Sequence, residues 1–226
     1  MSLKGMVGTR LAPHVTDIAP GLTANVVREA LTHAILGIGP FPPAARAAEK
    51  QLREQHGNVD RAIHEVIENH VRYAGAQGFV TNIGGLVTAA IAVPTNITGV
   101  ALVQTRMVAG IAHLRGYDLT DPRVRNAILV CMLGEDKVNE LVKRKKLPGP
   151  PMALATAPVN DPSLDRLISS EVTTGLIARV AGKRLATSVA RRVPVVGGVV
   201  GAGADGFATW KIGRYAEREL LPRNTR

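Results

Sequence analysis

The chain has 226 residues, of which 46% are hydrophobic and 20% are charged, and 28 basic against 18 acidic side chains give it a net charge of +10. This length and composition exclude a disordered chain, a collagen-like repeat and a small disulfide-stapled domain, and they favour a single domain over residues 1–226. The only cysteine, Cys131, excludes an internal disulfide and a multi-cysteine metal site. Because Cys131 lies within the apolar run AILVCML, we expect a buried thiol in a reducing compartment. The N-terminal sequence has no secretory signal pattern, which favours the cytoplasm.

Helical periodicity marks the first half of the chain. An early helix is predicted from Pro42 or Pro43 to Gly57, because proline suits the first turn of a helix and glycine commonly follows the last. From Val59 onwards, apolar residues recur every three or four positions, and Asn58 stands where an N-cap belongs. This second pattern predicts the clearest amphipathic helix of the sequence.

The second half of the chain repeats one start signal. Two Asp-Pro dipeptides, at 121–122 and 161–162, combine a capping carboxylate with a residue that has no amide hydrogen, and they predict helices near 122–133 and 162–190. No hairpin dipeptide separates two alternating runs of strand-forming residues. We therefore predict an all-α fold, built as a single compact multi-helix domain with buried Gly-rich apolar helices.

Two uncharged runs suggest an apolar ligand site. The first, between Tyr73 and Thr105, has the length to cross a bilayer, but Pro94 and several polar residues and glycines interrupt it. We expect two buried helices, or a hairpin that touches lipid, and a second uncharged run follows at 194–204. The two runs are predicted to line a groove for a lipid or acyl chain.

A proline-rich segment is the predicted cover of this groove. Five prolines between residues 147 and 162 predict a mobile loop, whose apolar side chains would either cover the groove or simply anchor the loop to the core. The residues predicted for the groove and its lid are Phe79, Leu86, Ile91, Met152, Leu154, Val196 and Val199.

Positive charge is concentrated in the second half. Residues 1–103 carry 8 basic and 7 acidic side chains, net +1, whereas residues 104–226 carry 20 and 11, net +9. Polybasic segments beside an apolar element gain about 1 kcal/mol per cation near an anionic membrane. Nucleic acid is a weaker candidate, because stacking aromatics and a helix-turn-helix pattern are missing. The cations predicted to contact anionic headgroups are Lys143, Arg144, Lys145, Lys146, Arg179, Lys183, Arg184, Arg191 and Arg192.

The final helix mixes aromatic and basic residues. Phe207 and Trp210 share one side with Arg214, and Lys211 lies beside them, a mixture typical of membrane interfaces. The rings could equally belong to the core.

Two apparent motifs do not indicate a cofactor or metal. A GxGxxG pattern at 201–206 is followed by only twenty residues, too few for the rest of a dinucleotide-binding unit, and its small residues instead predict close packing between helices. The segment His64–His70 lacks the second histidine of a zinc-protease helix, because Glu68 holds that position. We predict no catalytic residue, metal or cofactor.

Several segments carry a family resemblance. The run GFVTNIGGLVTAAIAVPTNITGVALVQTRMVAGIAHLRGYDL, then AILVCMLG and VPVVGGVVGAGADGFATWKIGRYA, resemble the EcsC family of bacterial proteins, over about residues 30–216. The most specific parts are 104–106, 111–114, 116–118 and 212–216. The resemblance implies a helical, hydrophobic, cytoplasmic protein associated with the membrane or with transport machinery, since the family is named for a protein encoded beside an ABC transporter. It implies no catalytic residues.

Polar residues within these apolar surroundings form a predicted buried motif. Burying an amide or a carboxylate costs several kcal/mol unless it is partnered, so we predict structural pairing inside the fold, with Lys211, Arg214 or a residue of the first uncharged run as the partner of Asp205. Asp118 follows the end of its helix and would either pair with a basic residue or cap the next turn. The residues of this motif are Gln104, Arg106, His113, Asp118, Asp205 and Arg214.

The sequence leaves three functions open. The first is a non-enzymatic protein that lies peripherally at the inner face of the cell membrane and binds anionic lipid. The second is an interaction module that packs against ABC transporter subunits, or against a second copy as a homodimer, without lipid affinity. The third, an enzyme, would require a polar cleft that joins residues such as Gln104, Arg106 and His113.

Overall fold

The computed structural model describes residues 24–37, 41–83, 99–190 and 194–223, apart from the side chains of 24, 26, 76–83, 179–190 and 194–202. Within these ranges the chain is helical and has no strand, as predicted. The helices are α1 (Ala24–Leu36), α2 (Ala44–Glu54), α3 (Val59–Ile83), α4 (Gly99–Leu114), α5 (Pro122–Leu133), α6 (Glu135–Lys143), α7 (Pro151–Ala155), α8 (Pro162–Ala190) and α9 (Pro194–Glu219).

The predicted N-cap residues accept hydrogen bonds from amides in the first turns of their helices. The Asn58 Oδ1 accepts a hydrogen bond from the Arg61 amide at 2.9 Å at the start of α3. The Asp121 and Asp161 carboxylates accept amide hydrogen bonds at 2.8 Å, and α5 and α8 begin at the prolines that follow these two residues. Both proline starts, at 122 and 162, are therefore confirmed.

Helix α4 is the centre of the bundle. It packs against α1, α2, α3, α5 and α9, and its side chains are buried on every face. Small residues make this possible: a Cβ at Gly110 would lie 3.5 Å from the Ala48 Cβ and 3.6 Å from the Val66 Cγ1, which is ordinary van der Waals contact. Although the chain has few aromatic residues to fill its core, the helices lie close enough for small side chains to pack against each other.

Helices α3 and α9 form an antiparallel pair through glycines. The Gly213 Cα faces Ile67, and Gly206 faces Val71, where an added Cβ would lie 3.7 Å from the Val71 carbonyl oxygen. The close packing predicted for the small residues of α9 is therefore present at Gly206. Those before Gly203 lie outside the residues whose surroundings are described.

The proline-rich segment differs from the predicted loop. Helix α7 occupies its middle, because Pro151 fits the first turn and the alanines and leucine that follow favour helix. Leu147, Leu154 and Ala155 are buried, and α7 packs against α5. The segment is therefore anchored to the core. Next to it, Cys131 is fully buried as predicted, and this burial raises the pKa of its thiol.

Candidate functional site

One face of α9 is an exposed stripe. Residues recurring every three or four positions, the spacing of a helix face, lie partly or largely in solvent. We call this the α9 stripe and define it as Gly203, Phe207, Trp210, Lys211 and Arg214.

Two aromatic rings are the most unusual part of the α9 stripe. Phe207 is 61% exposed and Trp210 is 44% exposed, and their rings stack with centroids 6.0 Å apart. The Lys211 ammonium lies 5.9 Å from the centre of the Phe207 ring. The interpretation of both rings as core residues is therefore wrong, and the stripe presents a large apolar area beside a cation.

The opposite face of α9 is polar where it meets α4. The Gln104 Nε2 donates a hydrogen bond to the Thr209 Oγ1 at 3.0 Å, and this hydroxyl donates to the Asp205 carbonyl oxygen at 2.8 Å. All three residues are buried. The prediction that Gln104 needs an internal partner is thereby confirmed, and Thr209 is a partner that no motif of the sequence indicated.

Replacing Thr209 tests how much this hydrogen bond contributes to the free energy of unfolding. We expect Thr209→Val to lower the free energy of unfolding by about 1 to 3 kcal/mol, since the buried Gln104 amide would lose an acceptor while the volume stays nearly constant. Urea unfolding measures the change. The matched control is Thr174→Val in α8, where an exposed hydroxyl makes the same contact to a carbonyl four residues back, at 2.9 Å. Equal losses in the two variants would contradict the assignment.

The rest of the predicted buried motif is dispersed. Asp118 is exposed, and its carboxylate accepts hydrogen bonds from the amide and hydroxyl of Thr120, which lower its pKa. Asp118 is therefore not part of a buried motif, and of the two roles predicted for it, it has that of capping a turn after α4. Arg214, 42% exposed at its side chain, pairs with Glu217 at 2.5 Å rather than entering the core. His113, also partly exposed, lies 3.1 Å from the Glu49 carboxylate.

Arg106 joins a second exposed aromatic region. Its guanidinium lies 5.9 Å from the centre of the half-exposed Phe41 ring. Burial is the main cause that lowers its pKa, and Tyr73 opposes this effect. Tyr73 is 59% exposed and meets the His70 ring edge-on at 6.3 Å.

The basic cluster at the C-terminal end of α6 lies on the surface. Its four residues, 143–146, are exposed, but two of them are engaged: Arg144 pairs with Glu140 at 3.1 Å and Lys146 with Glu171 at 3.4 Å. In the described part of the chain, no ion pair of Lys143 or Lys145 is found. Neighbouring carboxylates therefore pair with two of the four cations of this cluster.

The other predicted cations lie towards the junction of α8 and α9. Arg179, Lys183 and Arg184 belong to the second half of α8, and their side chains lie outside the description. Arg191 and Arg192 lie outside the described residues, in the three-residue connection between α8 and α9.

Most residues of the groove predicted from the uncharged runs are not described by the structure, or have side chains that are not described. Leu86 and Ile91 lie outside the described residues, and Phe79, Val196 and Val199 belong to α3 and α9 with side chains that are not described. Leu154 is buried in the core, which favours the interpretation as an anchor over that as a lid.

A cavity of about 320 Å³ lies elsewhere, between α5, α6 and α8. Apolar side chains and one glycine, Gly175, form most of its lining, and Lys137 and Glu171 lie at its polar side. None of the residues predicted for the groove lines it. The apolar part of the lining is Met132, Leu133, Val172, Gly175, Leu176 and Ala178.

A polar network that sequence reasoning missed joins α1, α5 and α8. The buried Asn126 Nδ2 donates to the Asp165 carboxylate at 2.6 Å, and the Arg28 guanidinium donates to the Asn126 Oδ1 at 3.1 Å and to the Asp165 carbonyl oxygen at 2.7 Å. The available signal was an asparagine inside the apolar run of α5. Across the described residues, no cluster of three His, Cys, Asp or Glu side chains suited to a metal ion occurs.

Comparison with known proteins identifies one family. The model described as the EcsC protein family matches residues 44–223, which is most of the chain. No curated protein and no solved structure gives a significant match. None of the helices, over the residues described, is long and apolar enough to cross a membrane.

Proposed function

Because the chain belongs to the EcsC protein family and its last helix exposes an aromatic pair beside a cation, we propose that it binds an anionic membrane surface peripherally. The single observation that carries this proposal is the stacked, exposed pair of Phe207 and Trp210 under Lys211. Aromatic rings partition into the interface between headgroups and acyl chains, while an adjacent lysine keeps its ammonium at the phosphates. The inner face of the cell membrane is the surface that this proposal assigns.

The charges at the α8–α9 junction support an arrangement in the plane of the membrane. Helix α9 extends about 18 Å from Gly206 back to Pro194, by the rise of an α-helix, and Arg191 and Arg192 come immediately before it. If the helix end inserted upright, these two arginines would enter the hydrocarbon layer, which costs several kcal/mol for each charge. Lying flat, α9 can bury its aromatic rings and leave the arginines among the headgroups.

Vesicle flotation tests the proposal. We expect the protein to float with vesicles containing phosphatidylglycerol and not with pure phosphatidylcholine vesicles. The double variant Phe207→Ser/Trp210→Ser should lose about 2 kcal/mol, which is roughly a thirtyfold lower partition coefficient, since each ring contributes part of the 1.5 to 3 kcal/mol of a fully buried side chain.

The matched control removes exposed apolar surface elsewhere. Val159, 76% exposed between α7 and α8, can be replaced by serine, and Val159→Ser should bind vesicles as the unchanged protein does. Two results would reject the proposal: failure of the unchanged protein to float with anionic vesicles, or equal binding by the double variant.

The same aromatic pair could instead contact a protein, which keeps the interaction module as the second candidate. A wash in 1 M salt shortens the screening length to about 3 Å and should release an electrostatic membrane association. Packing against a transporter subunit or a second copy would survive this wash. Retention on native membranes at high salt, combined with no binding to protein-free vesicles, would therefore favour the second candidate.

A further inference from the structure

We infer that the cavity between α5, α6 and α8 binds a single alkyl chain that carries an anionic head group. The inference does not depend on membrane association, since this cavity lies on elements other than the α9 stripe. Its volume, about 320 Å³, is at the lower end of the range for small-molecule sites. This size suits one chain rather than the two chains of a phospholipid.

The lining explains the preference for an alkyl chain. Met132 and Leu133 at the end of α5 face Val172 and Leu176 of α8. Gly175 also lines the cavity, and a Cβ added there would meet no atom within 4 Å, so the space in front of this glycine is open. An apolar chain can therefore fill the cavity without displacing protein atoms, and its burial removes apolar surface from water.

The polar side of the cavity explains the charge of the head group. The Glu171 carboxylate is shared by two ammonium groups, with Lys137 at 3.6 Å and Lys146 at 3.4 Å. Glu140 also pairs with Lys137, at 3.4 Å, and with Arg144, at 3.1 Å, so three cations against two carboxylates leave a net charge of +1 at this edge. Two further exposed lysines lie at the C-terminal end of α6 and just after it. The carboxylate or phosphate of a ligand can form an ion pair with one of the two lysines while Glu171 remains paired with the other.

Binding of chemically matched probes to the isolated protein, without vesicles, tests this inference. Isothermal titration with dodecanoate, dodecyl phosphate and dodecyltrimethylammonium, each below its micelle-forming concentration, compares two anionic heads and one cationic head on the same chain. We expect both anions to bind at least tenfold more tightly than the cation. The ratio between the two anions distinguishes a fatty acid from an alkyl phosphate as the natural type of ligand.

Two substitutions place the binding in this cavity. Gly175→Leu fills the open space and should weaken dodecanoate binding at least tenfold, while helix propensity favours its folding. Gly203→Leu is the control, because Gly203 is also an α-helical glycine with open space around it, but it lies on the α9 stripe. Lys137→Gln should reduce the preference for the anion severalfold without blocking the cavity, and it remains informative if the leucine variant does not fold.

The outcomes separate this inference from the proposed membrane binding. The variant Phe207→Ser/Trp210→Ser should bind dodecanoate as the unchanged protein does, even though it no longer floats with vesicles. Equal binding of anionic and cationic probes, unchanged binding by Gly175→Leu, or no binding at all would overturn the inference, whatever the result of flotation.

Discussion

Gly213→Val should lower the free energy of unfolding by about 1 to 3 kcal/mol. Gly213 lies in tight contact with α3 and α4: a Cβ at this position would lie 3.0 and 3.1 Å from the two γ-carbons of Ile67 and 3.1 Å from the Met107 sulfur. Met107 can change rotamer, but Ile67 is β-branched, fully enclosed and restricted at χ1. The helices must therefore move apart, and overpacking of this kind typically costs 1 to 3 kcal/mol, which valine's slightly better helix propensity than that of glycine offsets only in small part.

A comparison of two alanine variants isolates the packing contribution. Gly110→Ala places its Cβ in ordinary contact, at 3.5 Å or more, and should be neutral or stabilising by up to about 1 kcal/mol through helix propensity. Gly213→Ala receives the same propensity gain but must displace Ile67, so it should be less stable than Gly110→Ala. Urea unfolding of both variants measures the difference. If Gly213→Val unfolds like the unchanged protein, α3 and α9 do not pack as closely as described.

A double variant provides a second check on the same contact. Ile67→Ala removes the atoms that a new side chain at 213 would strike. The combined variant Gly213→Val/Ile67→Ala should therefore cost less than the sum of the single changes, since the added valine fills part of the space that the isoleucine leaves. Strict additivity would show that the two sites are independent.

The second large effect concerns pH, through His70. This partly buried ring donates from its Nδ1 to the Val66 carbonyl oxygen at 2.7 Å. Burial lowers its pKa to about 4; the nearby Arg106 charge acts in the same direction, and the Val66 hydrogen bond opposes the change. Between pH 6.5 and about 4 the unfolded chain binds a proton at His70 and the folded chain does not. Stability is thus present above pH 6.5 and falls as the pH drops, by about 3 kcal/mol across this window.

The variant His70→Gln should abolish most of this loss. Its stability between pH 4.5 and 7, measured by urea unfolding, should vary much less with pH than that of the unchanged protein, and His64→Gln is the control because His64 is exposed on the same helix. The carboxylates Asp118, Asp121 and Asp161, whose hydrogen bonds lower their pKa, act only below about pH 4 and so do not overlap the window. An unchanged pH dependence in His70→Gln would assign the effect to other groups.

Local chemistry made much of this fold predictable. Asn58, Asp121 and Asp161 act on amides two or three residues away, so their sequence pattern alone fixes where α3, α5 and α8 begin. The burial of Gln104 and Cys131 also followed from sequence, because each interrupts an apolar helix. The family resemblance was confirmed over residues 44–223.

Distant pairing was not predictable in this way. Arg28 reaches Asn126 across 98 positions and Asp165 across 137, and no local pattern encodes such a partner. The exposure of Phe207 and Trp210 was equally undetermined, because helical spacing groups residues on one face without saying whether that face is inside. Helix α7 was missed because five prolines outweighed the short helix-forming run between them.

Because Cys131 is buried, the reactivity of its thiol can report local unfolding of the protein. A thiol-reactive dye cannot reach the sulfur while α5 keeps its place, since no part of this side chain touches solvent. Labelling in native buffer must therefore wait for the surrounding helices to separate, and its rate records how often that happens. Since the sequence has no second cysteine, the rate of dye labelling measures only the local unfolding that exposes Cys131.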